Sequence, residues 1–273
     1  MKTIATIILN RNLPDPTDKL YEHLIKYDGE ETDVYVLEAG SDKNNLSQYC
    51  TWHANGDEII KEGLRYSRGM NYGLLQLWKE KKWEQYDSFF LITNDTELSR
   101  AQTLAPMNKL FKEHQRVGIL SPCSMRWGER LLLQQTKIKY FWFIHNNALL
   151  LRRNFIESIM EIEKPDYFNF LFDGSNFRGY FSESELIAKA YANNWAAAIT
   201  TKVFAEENES YLLNKADLIR TESYDENIKL YIEEGQNWLR RKYGFNSRWS
   251  MQQYTKSFYD SFFDFYPEYK KFK

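Results

Sequence analysis

Thr3-Ile4-Ala5-Thr6-Ile7-Ile8-Leu9-Asn10-Arg11-Asn12 is the stretch on which the reading of the fold turns. An unbroken run of apolar and β-branched residues without alternation fits a strand buried on both faces, as in a parallel sheet, and the switch to Asn10-Arg11-Asn12 ends it. Pro16 then stands at the first position of a predicted helix with Asp15 as its N-cap. Leu20, Leu24 and Tyr27 mark one face before Asp28-Gly29 stops it. Val34 to Glu38 reads as the next strand. Strand, helix and strand in so short a span form a βαβ unit, whose crossover is right-handed.

Working outward, the spacing predicts a helix over 64–83 with Leu74, Leu75, Leu77 and Trp78 as its apolar stripe, then a buried strand over 89–93. A helix over 101–114, a strand over 117–120 and a strongly apolar strand over 140–151 follow. A short helix over 182–193, a strand near 197–204 and a polar helical segment over 208–243 lead to an aromatic tail. The alternation predicts an α/β fold with an open parallel or mixed sheet flanked by helices. No internal repeat or low-complexity linker interrupts it, so residues 1–207 read as one domain and 208–273 as a helical extension packed on it.

Composition narrows the function. Lys and Arg total 36 against 38 Asp and Glu among 273 residues, so no global positive field exists to hold nucleic acid. Cys50 and Cys123 are too few for a disulfide framework, which fits a reducing, cytoplasmic setting. The opening segment lacks a cleavage signal, and no window approaches the roughly 18 apolar residues that span a bilayer. Neither G-x-G-x-x-G nor G-x-x-x-x-G-K-[ST] occurs, which counts against a dinucleotide oxidoreductase or a P-loop NTPase. His23, His53, His114 and His145 share no ligand-like spacing.

In an open α/β sheet, ligands bind beyond the carboxyl ends of the strands. Those ends are polar here: Asn10-Arg11-Asn12, then Glu38-Ala39-Gly40-Ser41-Asp42, then Thr93-Asn94-Asp95-Thr96-Glu97. Taken in order, the blocks resemble the GT-A glycosyltransferases, in particular the large inverting family 2 that uses nucleotide-diphosphate sugars. Val36 to Asp42 resembles the V-D-N-G-S-x-D block that holds base and ribose, with Glu38 in place of Asp. Arg68-Gly69-Met70-Asn71-Tyr72-Gly73 resembles the block in which an Asn precedes a Gly at the start of a helix beside the nucleotide. Phe89 to Thr96 resembles the strand entering the DXD motif, which many members carry as N-D-T. The resemblance covers roughly residues 3–210.

It implies a Rossmann-like GT-A domain, with a nucleotide-binding part over about 1–98 and an acceptor part over about 99–207. It also implies a nucleotide-diphosphate-sugar donor contacted by Asn10, Glu38, Ser41, Asp42, Arg68, Asn71, Asn94 and Asp95. A Mg²⁺ or Mn²⁺ ion on Asp95 would offset the charge of the departing diphosphate. Tyr180 to Leu186 resembles the family's E-D block, which makes Glu183 the expected general base, with Asp173 and Glu185 as fallbacks. Ser182-x-x-Glu185 also reads as a capping box. The family's downstream metal-binding His is missing near 203–208, where Glu206 is the candidate substitute.

Arg65 and Arg68 suit phosphate oxygens equally with solvent. Trp127, with Arg126, is a candidate wall of the acceptor site, and Asp173 a candidate acceptor contact. The acceptor implied is a saccharide or lipid-linked glycan, in surface polysaccharide or glycoconjugate synthesis. The tail, crowded with aromatics from Tyr254 to Phe272 and ending Lys270-Lys271-Phe272-Lys273, needs a partner. Its own domain, a twin subunit or the inner face of a membrane all fit. Two rival readings are a sugar-nucleotide nucleotidyltransferase, which would carry a Gly- and Arg-rich loop after the first strand, and a catalytically silent GT-A-like module that binds a glycan or partner.

Overall fold

The computed structural model describes residues 2–99, 101–124, 137–144, 148–215, 217–219 and 221–273. Strand β1 (Ile4–Asn10) is buried along its whole length and runs parallel to β2 (Thr32–Ala39) on one side and β4 (Ser88–Thr93) on the other. Among the described residues nine strands form the sheet, in the order β3-β2-β1-β4-β8-β6-β9-β5, with β7 also on β9. The additional strands are β3 (Cys50–Ala54), β5 (Thr96–Leu98), β6 (Val117–Cys123), β7 (Ile138–Tyr140), β8 (Ala148–Arg152) and β9 (Ala196–Glu207). The β1–β4 half is parallel, β8 runs antiparallel to both β4 and β6, and β6 pairs β9 in parallel. The mixed sheet and its flanking helices agree with the α/β reading of the sequence.

Helices α1 (Pro14–Asp28), α2 (Asp57–Glu62), α3 (Arg65–Lys79), α4 (Leu104–Glu113), α5 (Arg153–Glu157) and α6 (Ser182–Ala192) cover the sheet. Helix α3 rides directly on β1 because two of its residues lack a Cβ. A Cβ at Gly69 would stand 2.4 Å from a Leu9 methyl, and one at Gly73 2.8 Å from Ile7.

Three local expectations change, and two elements go unread in the sequence. Helix α1 starts at Pro14, so Asp15 lies in its first turn, where its charge still favours the helix dipole, and Leu13 takes the cap position. Helix α3 ends at Lys79, because Lys81 turns into the left-handed region (φ 57°) and a 3₁₀ turn follows at Trp83–Gln85. The apolar run over 140–151 is two strands: β7 pairs β9, whereas β8 inserts between β4 and β6. A continuous apolar run reports burial and not which neighbours a segment takes. Strand β3 and helix α2, at the polar edge, carry too weak a pattern to have been read.

The C-terminal part comprises α7 (Ser210–Lys215), α8 (Tyr224–Tyr243), α9 (Arg248–Phe265) and a 3₁₀ segment over Pro267–Phe272. Its aromatic partner is the chain's own core. Tyr259, Phe262 and Phe263 are buried, and their rings meet Tyr140 and Tyr191, with Phe262 5.4 Å from Tyr191 and Phe263 6.4 Å from Tyr140. No helix among the described residues is long and apolar enough to cross a membrane.

Candidate active site

The carboxyl ends of β1, β2 and β4 are laced together by side chains. Asn10 Nδ2 donates to Glu38 Oε2 (2.8 Å), and its Oδ1 accepts from Asn94 Nδ2 (2.8 Å) and the Leu13 amide (3.2 Å). Glu38 also accepts from Ser41 Oγ (2.5 Å) and the Ser47 amide (2.8 Å), and is fully enclosed. A buried carboxylate is tolerated when donors surround it, and these three donors shape the 39–47 loop around it. Asn12, left-handed at φ 56°, completes the floor: its amide donates to Ser41 Oγ (2.9 Å) and its Oδ1 accepts from the Asp42 amide (2.7 Å). Thus Asn10, Glu38, Ser41, Asp42 and Asn94, separate in sequence, form one surface.

Asp95 lies beside that surface, in the turn after β4. Thr93 Oγ1 donates to its Oδ1 (2.5 Å), and burial pushes its carboxyl above the usual range. No cation pairs with it among the described residues. Strand β5 pairs the end of β9, setting Glu97 opposite Glu206 and Thr96 opposite Glu207, and the Asn208 amide donates to the Asp95 carbonyl (2.8 Å). Glu206 also accepts from Ser124 Oγ (3.1 Å). Asp95 and the neighbouring glutamates are oxygen donors of the kind a hard divalent cation takes. A half-buried carboxylate without a positive partner among the described residues fits such an ion, although no three His, Cys, Asp or Glu side chains converge among the described residues, so phosphate and water would supply the remaining ligands.

Glu183 sits at the start of α6, directly after Phe181 in the left-handed region (φ 67°). The expected capping box does not form. Ser182 Oγ instead meets Ser67 Oγ of α3 (2.9 Å), and Glu185 turns to the Tyr243 hydroxyl (2.5 Å) and Lys242 Nζ (2.6 Å). Burial pushes the Glu183 carboxyl up to about 7, against a smaller opposing effect of its own backbone N–H. Its charge acts on two half-buried tyrosines, Tyr66 of α3 and Tyr231 of α8, and Tyr231 also feels Glu207. Tyr231 therefore lies within electrostatic reach of both the base candidate and Glu207 at the end of β9. Asp173, a fallback base, is used elsewhere. Burial alone would raise it, but hydrogen bonds from Lys242, Ser175 and Trp238 overcome that and hold it well below the usual carboxylate range.

Arg68 and Asn71 take partners other than a ligand. Arg68 Nε donates to the Gly174 carbonyl (2.7 Å), and its guanidinium lies over Phe168 and Phe177. Asn71 Oδ1 accepts from the Leu171 and Phe172 amides (2.9 Å each), and its Nδ2 donates to the Phe172 carbonyl (2.8 Å). Both residues hold the 167–177 loop onto α3. Trp127 and Arg126 lie outside the described residues.

Residues that sequence reading passed over come from far along the chain. The segment after β9 crosses the site: Asn12 Nδ2 donates to the Leu218 carbonyl (2.8 Å), and Arg65 Nη2 to Thr221 Oγ1 (2.8 Å). Arg178 holds Glu222 (2.7 Å) and Glu234 (3.1 Å). Of these, Arg65 is singled out by the sequence beside Arg68 and Asn12 stands next to a strand end, whereas Arg178, Leu218, Thr221, Glu222 and Glu234 carry no local signal.

No family model matches the sequence, and no curated protein matches it. Solved structures do resemble its fold. The mannosyltransferase PcManGT from Pyrobaculum calidifontis, in complex with GDP-Man and Mn²⁺, superposes with a TM-score of 0.53 at 11% identity over 94% of this chain and 74% of that one. S. aureus TarS 1–349 in complex with UDP-GlcNAc gives 0.53 at 12% identity, over 97% and 73%. GalNAc-T7 with UDP, GalNAc and Mn²⁺ gives 0.54 at 8% identity, over 96% of this chain but 56% of that one. These likenesses show the fold: the chain has the GT-A glycosyltransferase fold that its sequence blocks imply.

Proposed function

We propose that the chain is an inverting glycosyltransferase that moves a sugar from a nucleotide-diphosphate donor to a hydroxyl of a saccharide or lipid-linked glycan, in surface polysaccharide or glycoconjugate synthesis. The observation that carries this is Glu183, a half-buried carboxyl at the start of α6, tied to α3 through Ser182 and Ser67 and raised to about 7 by desolvation. A base poised near the working pH is what proton removal from an alcohol needs. The donors bound in PcManGT and TarS support a nucleotide sugar as the ligand class.

In this reading the donor's base and ribose lie on the surface built by Asn10, Asn12, Ser41 and Asp42. The acceptor oxygen attacks the anomeric carbon from the side opposite the diphosphate, its proton passes to Glu183, and the carbon–oxygen bond to the diphosphate breaks with its electron pair leaving on the nucleoside diphosphate. Attack from the opposite side inverts the anomeric centre. A Mn²⁺ or Mg²⁺ ion held by Asp95, with Glu206 nearby, would neutralise charge developing on the leaving diphosphate. Arg68 and Asn71 act indirectly, by keeping the 167–177 loop in place.

The test is a thermal-shift panel of UDP, GDP, TDP and CMP, each with and without Mn²⁺, on the wild type and Asp95→Ala. A ligand at about 100 times its dissociation constant adds about 2.7 kcal/mol and raises the melting point by a few degrees. Stabilisation by one nucleotide, strengthened by Mn²⁺ and lost in Asp95→Ala, is the expected result. A flat panel would refute the reading.

A further inference from the structure

Tyr66 and Glu183 are two polar groups that the chain brings near one another, and the hydroxyl of Tyr66 is left without a mate. The Tyr66 hydroxyl is buried with no hydrogen-bond partner among the described residues. Its ring is held edge-on to Phe172, with centroids 5.6 Å apart, in the first turn of α3. The next residue, Ser67, meets Ser182 Oγ at 2.9 Å, and Ser182 precedes Glu183, so the starts of α3 and α6 are tied together. The carboxyl consequently lies within electrostatic reach of the phenol, yet no hydrogen bond joins them. Tyr231 of α8, whose ring packs 4.7 Å from Tyr180, lies within reach of the same carboxyl.

A buried donor or acceptor without a partner is destabilising, and folded proteins leave few of them. One small group satisfies both residues at once. An alcohol has a single O–H to donate, which suits a carboxylate, and two lone pairs to offer, one of which suits a phenol.

We infer that Tyr66 binds the acceptor: its phenol donates to the oxygen of the hydroxyl whose proton Glu183 accepts. This rests on the glycosyltransferase reading and goes beyond it by naming the group that aims the nucleophile. With the O–H directed to Glu183 and one lone pair held by Tyr66, the remaining lone pair has a fixed direction, and that is the pair that attacks the anomeric carbon. Aim of this kind is worth a large factor in rate, because a misplacement of about 1 Å costs on the order of 100-fold.

The experiment uses the full chain and follows nucleoside diphosphate release from UDP-GlcNAc, UDP-GalNAc and GDP-mannose, with Mn²⁺, in the presence of simple methyl glycosides and with water as the fallback acceptor. Wild type, Tyr66→Phe and Glu183→Gln are compared, together with their melting points. Tyr66→Phe is expected to keep the donor KM and to lower kcat about 10- to 100-fold. Its melting point is expected to stay level or rise, since the hydroxyl it loses had no partner. A Tyr66→Phe rate equal to wild type, or a loss of rate that tracks a fall in melting point, overturns the inference while leaving the functional reading intact. Release unchanged in Glu183→Gln overturns the functional reading and the inference with it.

Discussion

Glu222 accepts from Arg178 at 2.7 Å, and this contact joins the segment that follows β9 to the loop that precedes α6. Arg178 is almost enclosed, with 7% of its side chain exposed, and also holds Glu234 and Asn227. Burial acts to raise the Glu222 carboxyl, but hydrogen bonds from Arg178 and Thr221 outweigh it and bring the group down to about 2.

A carboxylate depressed in the folded state contributes stability that is present above its unfolded value and lost as pH falls toward the folded one. The wild type is therefore expected to weaken as pH drops from about 4.5 toward 2, and Glu222→Gln to show a flatter acid limb. At neutral pH that variant should lose about 1–3 kcal/mol, because a charge-assisted bond goes while Glu234 still serves Arg178. Urea unfolding at pH 7 and at pH 3 reads both effects, and equal slopes against pH in the two proteins would contradict the assignment.

Glu183 behaves in the opposite sense. A carboxyl raised in the folded state binds its proton more tightly there, so wild-type stability declines as pH rises from the unfolded value through about 7. Replacing it by Gln removes that penalty, which is about 3 kcal/mol for a shift of this size. Glu183→Gln should match the wild type at pH 5, exceed it at pH 8, and release no nucleotide at either pH. In the wild type, kcat/KM should rise with pH around a midpoint of about 7, as Glu183 loses its proton. A stability difference between Glu183→Gln and the wild type that is the same at pH 8 as at pH 5 would show that the carboxyl is not buried as described.

Gly235 of α8 lets that helix lie against Tyr180, since a Cβ there would stand 2.4 Å from Tyr180 Cβ. Backbone-anchored atoms cannot rotate away, so Gly235→Ala must push α8 outward at a cost of about 1–3 kcal/mol. Tyr231 lies one turn earlier on the same helix and moves with it. The expected signature is a lower kcat with unchanged nucleotide affinity in the thermal-shift assay. A variant with wild-type stability and rate would show that the contact is slack.

The tail aromatics separate into two kinds. Phe263 is fully buried, while Phe265 is 76% exposed. Phe263→Ala should cost about 3–5 kcal/mol, and Phe265→Ala should lie within about 0.5 kcal/mol of wild type. Chemical denaturation of the two variants side by side is the check, and similar losses in both would mean that the tail packs differently.

Much of the site could be read before any coordinates, because strand ends announce themselves. Asn10, Glu38, Ser41, Asp42, Asn94 and Asp95 each follow a buried apolar run, and in an open α/β sheet such positions gather at one edge. Arg68 and Asn71 were visible as an ordered block, but their partners, Gly174 and the Leu171 and Phe172 amides, lie about a hundred residues away. Nothing local distinguishes an arginine that waits for phosphate from one that grips a backbone carbonyl.

What the sequence by itself determined is the alternation of buried strands with helices, the GT-A arrangement it implies, and the polar loops after the strands. Periodicity and turn residues are short-range properties, and they survive in a linear reading. The tertiary structure alone decided which polar groups are consumed and which stay open. It turned Glu185 and Asp173 toward Lys242, left the Tyr66 hydroxyl without a partner among the described residues, and brought Arg178 to Glu222 and Tyr231 within reach of Glu183. Burial raises a carboxyl or depresses it according to the donors that surround it, and those donors come from segments that only folding makes neighbours.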